Sequence, residues 1–214
     1  MPALRVVLAS NNAKKLQELQ ALFGTLPLEL VAQSSLGVAE AEEPHLTFLE
    51  NALATARHAA ASTGEASIAD DSGLCVYALG GAPGVVSAHY GGVVEPDADR
   101  EATRRRQDAV NNQLLLQRMA GHAQPEQRRA RFVSTLVAVR AADDPEPLVA
   151  FGRWEGLLLS ELRGTQGFGY DPLLYIPQAA CTVAELAPEQ KNRMSHRALA
   201  AEQMLRLMQQ AWGL

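Results

Sequence analysis

The chain has 214 residues, 47% of them apolar and 20% charged, and its 19 basic and 24 acidic residues give a net charge of −5. That length suits one large α/β domain, or one domain of two lobes, that buries its core without staples. The apolar content excludes a disordered chain, and the acidic balance argues against broad binding to polymeric nucleic acid, so any phosphate site has to be local.

The opening stretch MPALRVVLASNN is too short in apolar residues for a secretory signal, and Arg5–Ala9 instead predicts a strand. Ala13–Phe23 places Leu16, Leu19, Leu22 and Phe23 at helical spacing, so the chain opens as strand, polar turn, helix. Thr47 and Glu50 form a capping-box pattern ahead of an alanine-rich helix that stops at Gly64. Ser67–Asp71 and Leu74–Leu79 read as two short strands interrupted by Gly73. Ser72–Val94 carries no formal charge and is long enough to cross a bilayer, but its six glycines and one proline make it strands and turns, so no membrane span is expected.

Asp97–Ala120 reads as an amphipathic helix with Val110, Leu114, Leu115 and Met119 on its buried side and Arg104, Arg105 and Arg106 in solvent. Arg131–Arg140 is apolar on both alternating faces, as a strand covered on both sides should be. Trp154–Leu159 and Leu173–Ile176 predict further strands, and Ser195–Trp212 predicts a closing helix with Leu199, Met204, Leu205 and Leu207 available for burial. Cys75 and Cys181 fit neither a disulfide framework nor a zinc spacing and read as reduced packing thiols, which suits the cytoplasm.

Four segments carry candidate chemistry. Ser10, Asn11, Asn12, Ala13, Lys14 and Lys15 end a strand and begin a helix, where backbone N–H groups and a cation can hold a phosphate; a plain helix cap is the other reading. No Gly-x-x-x-x-Gly-Lys-Ser/Thr loop is present. Asp70, Asp71 and Ser72 follow an apolar run, and two adjacent carboxylates call for a cation; with Glu40, Glu42 and Glu43 they form a plausible partial magnesium shell, or else a solvated Asp-Ser-Gly turn. Gly164–Asp171 combines three glycines with Phe168 and Tyr170, either a close-approach loop beside stacking rings or a glycine loop with core aromatics. Lys191, His196 and Arg197 supply donors for oxygens on a base or phosphate, unless the His-Arg pair is ordinary surface.

The ordered segments SNNAKKLQEL, LTFLENA, IADDSGL, LGGAPGVVSAHYGG, GTQGFGYDPL and KNRMSHRA together resemble the inosine triphosphate pyrophosphatase family (dITP/XTP pyrophosphatases), from about Val6 to the last helix. The resemblance implies an α/β fold with a long mixed β-sheet, flanking helices and two lobes around a nucleotide cleft, the whole of residues 1–214 acting as one domain in a homodimer. It implies Mg2+ held by Glu42 and Asp71, with Asp71 also the proton acceptor and Asp70 in a supporting electrostatic part. Ser10 to Lys15 and Ser72 would bind substrate, and Phe168, Gly169, Tyr170, Asp171, Lys191, His196 and Arg197 would line the nucleoside pocket. The implied reaction splits dITP, ITP or XTP into a monophosphate and pyrophosphate. A Maf-like pyrophosphatase acting on modified pyrimidine nucleotides and a nucleotide-binding sensor without turnover are the alternatives. Two positions depart from the family pattern: Thr55 stands where a lysine is common, and Asn11 where a glycine is frequent.

Overall fold

Strand-forming runs and amphipathic stretches resolve, in a computed structural model that describes residues 4–24 and 27–214, into one mixed sheet with flanking helices. The strands are β1 (Leu4–Leu8), β2 (Leu28–Ala32), β3 (Ala66–Val76), β4 (Arg129–Val139), β5 (Leu148–Leu158), β6 (Leu174–Ile176) and β7 (Cys181–Thr182), in the order β2-β1-β3-β4-β5-β6-β7. β1 runs parallel to both β2 and β3, while β6 runs antiparallel to β5 and β7. The helices are α1 (Ala13–Phe23), α2 (Phe48–Thr63), α3 (Arg100–Met119), α4 (Pro188–Met194) and α5 (His196–Trp212). None of the described helices is long and apolar enough to cross a membrane.

The chain divides into two compact units: Met1–Ser72, Ser134–Arg153 and Asn192–Leu214 make the first, and Gly73–Val133 with Trp154–Lys191 the second. In the first, Val6, Leu8, Ile68, Leu136 and Ala138 pack with Leu19 and Phe23 of α1 and Met204 and Met208 of α5. The alternate residues Val7, Ala9, Ala69, Val137 and Val139 pack with Ala52, Ala56, Ala59 and Ala60 of α2. This double coverage is why β4 is apolar on both faces. α2 is bounded as its sequence directs: the Thr47 hydroxyl accepts from the Glu50 N–H at 3.2 Å, and Gly64 ends the helix with φ of 71°. A cap of this kind stabilises by about 1 kcal/mol.

Several expectations are corrected. Gly73 does not interrupt a strand, because β3 runs unbroken from Ala66 to Val76. Its missing side chain serves a close approach instead: a Cβ there would strike the Ser87 hydroxyl and the Gly84 carbonyl. β2 escapes the sequence reading because LELVA is short and broken by Glu29. β5 begins at Leu148, ahead of the expected Trp154. The buried face of α3 is largely polar, with Gln107, Asn111 and Asn112 inside beside Leu115 and Met119, whereas Val110 and Leu114 are only half-buried. On α5, Met204 is buried and Leu205 and Leu207 partly so, but Leu199 is exposed.

Candidate active site

Because successive side chains of a strand leave opposite faces, Asp70 and Asp71 enter different surroundings although they are neighbours in sequence. Neither lies in a solvated turn: they are 8% and 5% exposed within β3. Asp70 faces α1 and α5. Its Oδ2 accepts from Arg197 Nε at 3.2 Å and Nη2 at 3.1 Å and lies 3.2 Å from Lys15 Nζ, while Oδ1 accepts from the Ser134 hydroxyl at 2.5 Å. Burial favours its neutral form, but Arg197, Lys15, Ser134 and His196 outweigh that effect and hold the carboxyl well below the usual range. Asp70 is therefore a fixed negative charge.

Asp71 faces α2, where Asn51 donates to its Oδ2 at 3.1 Å and is itself oriented by the His45 N–H, 2.9 Å from Asn51 Oδ1. Burial is the main influence and pushes Asp71 up to about 7; Lys15 and Asn51 oppose the shift, and Glu43 and Asp70 add to it. Two adjacent carboxylates thus differ in protonation because only one is surrounded by cations. Of the acidic cluster Glu40, Glu42 and Glu43, it is Glu43 that acts on Asp71, and it also accepts from the Thr55 hydroxyl at 3.5 Å. Glu42 is exposed. Thr55 therefore supports the acidic cluster at a position where the family pattern has a cation.

The polar segment ahead of α1 closes the first unit's set. Asn12 caps α1, its Oδ1 accepting from the N–H groups of Lys14 at 3.1 Å and Lys15 at 3.2 Å, and Ser10 Oγ accepts from the Asn12 N–H at 3.2 Å. The cap reading of this segment is therefore realised, and it aims Lys15 inward, where Nζ also donates to the Asp70 carbonyl at 3.2 Å. Ala13 is exposed and Lys14 half-buried. Asn11 accepts from Gln33 Nε2 at 3.3 Å. Ala180 is the non-glycine residue with positive φ among those described, so Asn11 needs no glycine-like conformation.

His196 and Arg197 are not surface decoration, being 5% and 1% exposed. Ser195 caps α5 by accepting the Ala198 N–H at 3.1 Å, which sets both residues in its first turn. The Arg197 guanidinium donates to Asp70, to Glu18, and to Ser72 Oγ at 3.0 Å; the Ser72 hydroxyl in turn donates to Asp70 Oδ2 at 3.0 Å. Burial would weaken the charge on Arg197, but Asp70 and Glu18 overcompensate and raise its pKa. Gly152 makes this possible, since a Cβ there would collide with the His196 carbonyl and the Ala200 nitrogen.

The second unit assembles the glycine-loop residues. Asp171 Oδ2 accepts from Lys191 Nζ at 2.8 Å and from the Phe168 N–H at 3.0 Å, and Lys191 Nζ lies 4.7 Å from the Phe168 ring centroid. Gly167 has φ of 77°, and a side chain on it would strike the Asp171 carboxylate. Tyr170 is buried and donates from its hydroxyl to the Ser87 carbonyl at 2.8 Å; burial, with Tyr90 and Asp108, pushes its phenol up.

Glu18, Asn51, Ser134 and Gly152 were not singled out from the sequence, whereas Glu43 was, as part of the acidic cluster. Glu18 alone offered a signal, lying three residues after Lys15 and so on the same side of α1. Among the described residues no group of three or more His, Cys, Asp or Glu side chains forms a metal cage. The oxygen donors of Asp71 and its acidic neighbours instead suit a hard cation that keeps waters and takes phosphate oxygens as its remaining ligands.

Fold and site together define an α/β protein built around a divided carboxylate pair, with Arg197 and Lys15 on one member and no Gly-x-x-x-x-Gly-Lys-Ser/Thr motif. The chain belongs to the Ham1 family, whose model matches residues 6–207. It is 68% identical to a dITP/XTP pyrophosphatase of Methylibium petroleiphilum, over 98% of this chain and 99% of that one. It is 66% identical to another of that name from Leptothrix cholodnii, over 99% of this chain and 100% of that one. Among solved structures, a HAM1 protein from Coxiella burnetii matches with a TM-score of 0.85 and 40% identity, over 97% of this chain and 100% of that one.

Proposed function

We propose that this chain hydrolyses the non-standard purine nucleoside triphosphates dITP, ITP and XTP to the monophosphate and pyrophosphate, and so keeps them out of DNA and RNA. The observation that carries the reading is Asp71: a buried carboxyl, oriented by Asn51, whose pKa is pushed up to about 7. A base is most effective when its pKa lies near the working pH. Asp71 would take the proton of the water that attacks the α-phosphorus, and the departing pyrophosphate would be met by Lys15 and the N-terminal turn of α1, Ser10 to Ala13 with Lys14 beside it. Ser72, held by Arg197 and Asp70, would contact the phosphates.

Asp71 with Glu42 or Glu43 would hold Mg2+, which when bound supplies positive charge to the phosphate oxygens. The nucleoside would be read by Phe168, Gly169, Tyr170, Asp171 and Lys191, with His196 supplying the donor that favours a 6-oxo purine over adenine. Arg197, its donors engaged by Asp70, Glu18 and Ser72, would support the pocket by holding those side chains in place. The whole chain would act as one domain of two lobes, in a cytoplasmic homodimer. The names of the relatives support the substrate class and the donor chemistry supports the metal.

The test is to incubate purified protein with magnesium and a panel of nucleoside triphosphates, measuring phosphate with and without added inorganic pyrophosphatase. Phosphate that appears only with the coupling enzyme, and fastest from dITP, ITP and XTP, is the expected result. Phosphate released without it would place cleavage at the γ position and end the proposal.

A further inference from the structure

The second unit buries carboxamides on α3 where an apolar helix face would be the simpler way to pack. Gln107 Nε2 donates to the Gly92 carbonyl at 2.6 Å, and Gln107 Oε1 accepts from the Val94 N–H at 3.1 Å. Asn111 accepts from the Gly91 N–H at 2.8 Å and donates to the carbonyls of Ser87 at 3.3 Å and Ala88 at 3.0 Å. The next pair serves another segment: Asp108 Oδ2 accepts from the Gly169 N–H, and Asn112 Nδ2 donates to the Gly169 carbonyl, each at 2.8 Å. Both backbone polar groups of one glycine are thus gripped by side chains one turn apart on a single helix.

Gly169 needs such a grip. Its φ is 61°, two residues after Gly167 at 77°, and glycine moves between conformations at little steric cost, so the loop's own sequence does not hold it in one shape. Asn112 Nδ2 also donates to the Asp108 carbonyl at 2.8 Å, which fixes the direction of the amide, while its Oδ1 is buried without a partner. A buried acceptor left unpaired is unfavourable, and residues that break such a packing rule concentrate where geometry matters for function. Tyr170 is tied to the same helix at one remove, since the Ser87 carbonyl that its hydroxyl meets also accepts from Asn111.

We infer that Asp108 and Asn112 are positioning residues that clamp Gly169 and thereby set the affinity and base preference of the nucleoside pocket, without a part in the hydrolytic step. The inference rests on the proposed role of Phe168–Asp171 in holding the nucleoside. A loop ordered before binding does not lose that freedom on binding, so the clamp acts on KM more than on kcat.

The experiment compares Asn112→Leu, Asp108→Ala, Asp108→Asn and Phe168→Ala in the full-length protein, with kcat and KM measured for dITP and dGTP. Asn112→Leu and Asp108→Ala should each raise the KM for dITP about tenfold, the value of one hydrogen bond, with kcat within about twofold of wild type. Both should also narrow the preference for dITP over dGTP. Asp108→Asn keeps an oxygen to accept the Gly169 N–H and should restore near-normal KM. Should Asn112→Leu fail to fold, the two Asp108 variants decide the matter. An unchanged KM in Asp108→Ala, a loss confined to kcat, or an Asp108→Asn no better than Asp108→Ala would each overturn the clamp. If Phe168→Ala raises KM while the clamp variants do not, the nucleoside assignment survives and the clamp falls; if none of them moves KM, both fall.

Discussion

Asp70 and Asp71 are consecutive on β3, yet Asp70 accepts two hydrogen bonds from the buried Arg197 guanidinium, while Asp71 meets the neutral amide of Asn51. The strand's alternation delivers one carboxylate to the α1 and α5 side and the other to the α2 side. One becomes a permanent anion that orients Lys15, Ser72 and Arg197, and the other keeps an exchangeable proton near neutral pH. A single dipeptide therefore supplies two different electrostatic functions.

Asp71→Asn should fold and lose turnover by about 10² to 10³ or more, as expected when a general base is removed. Stability supplies an independent check. The folded pKa of Asp71 is raised to about 7, so the wild type loses stability as pH rises from about 4 to about 7, where the unfolded carboxyl is ionised and the folded one is not. Asparagine has no such titration. In metal-free buffer the variant's melting temperature relative to wild type should accordingly improve between about pH 4 and pH 8; a constant difference would show that Asp71 titrates normally.

Asp70→Asn should behave in the opposite way. It leaves Arg197 buried at 1% exposure with Glu18 as its remaining carboxylate, and breaking a buried pair costs about 3 to 5 kcal/mol. Asp70's folded pKa is depressed, so its contribution is full above the ordinary carboxylate range and is lost as pH falls through and below it. Chemical denaturation at neutral pH should show the large loss, and the gap from wild type should narrow towards about pH 3. A variant as stable as wild type at neutral pH would mean the Asp70–Arg197 pair is not structural.

What the sequence reveals of this arrangement follows the range of the forces involved. Helix ends set by local bonds, such as Asn12, Thr47 and Gly64, are legible because donor and acceptor lie within a few residues. The double-sided apolarity of β4 announces its coverage by helices on both faces. Asp71 is visible as a candidate, but what sets it apart from Asp70 is the pairing of Asp70 with Arg197, 127 residues from it, and Ser134, 64 residues from it. The polar face of α3 misleads the reading because Gln107 and Asn111 satisfy backbone groups of a distant loop, a role that periodicity scores as solvent exposure. Gly73 looks like a strand breaker when its role is to admit Ser87.

Magnesium affinity should depend on pH through Asp71. A proton and a cation compete for that carboxylate, so below about pH 7 the apparent affinity should fall by up to about tenfold per pH unit, and above it level off. Calorimetric titration of magnesium at about pH 6, 7 and 8.5, in buffers of different ionisation enthalpy, measures both the affinity and the protons released. Release approaching one proton per ion at about pH 6, declining to none at about pH 8.5, is expected. No release at any pH would show that the ion does not displace a proton from Asp71.

Gly152→Ala tests whether α5 must lie this close to β5 for the site to form. The added methyl would collide with the His196 carbonyl, a backbone atom that cannot rotate away, so the first turn of α5 has to shift. That turn carries Arg197, whose bonds to Asp70 at 3.1 and 3.2 Å tolerate little displacement before the carboxylate loses its compensating charge. Overpacking alone costs about 1 to 3 kcal/mol, and misplacing the Arg197 pair adds to it. The variant should melt well below wild type. Its remaining activity, measured at a temperature where it stays folded, should be reduced as well, because Ser72 and Lys15 share the Asp70 carboxylate with Arg197. Normal activity in a folded Gly152→Ala protein would mean that the position of Asp70 does not depend on where α5 begins.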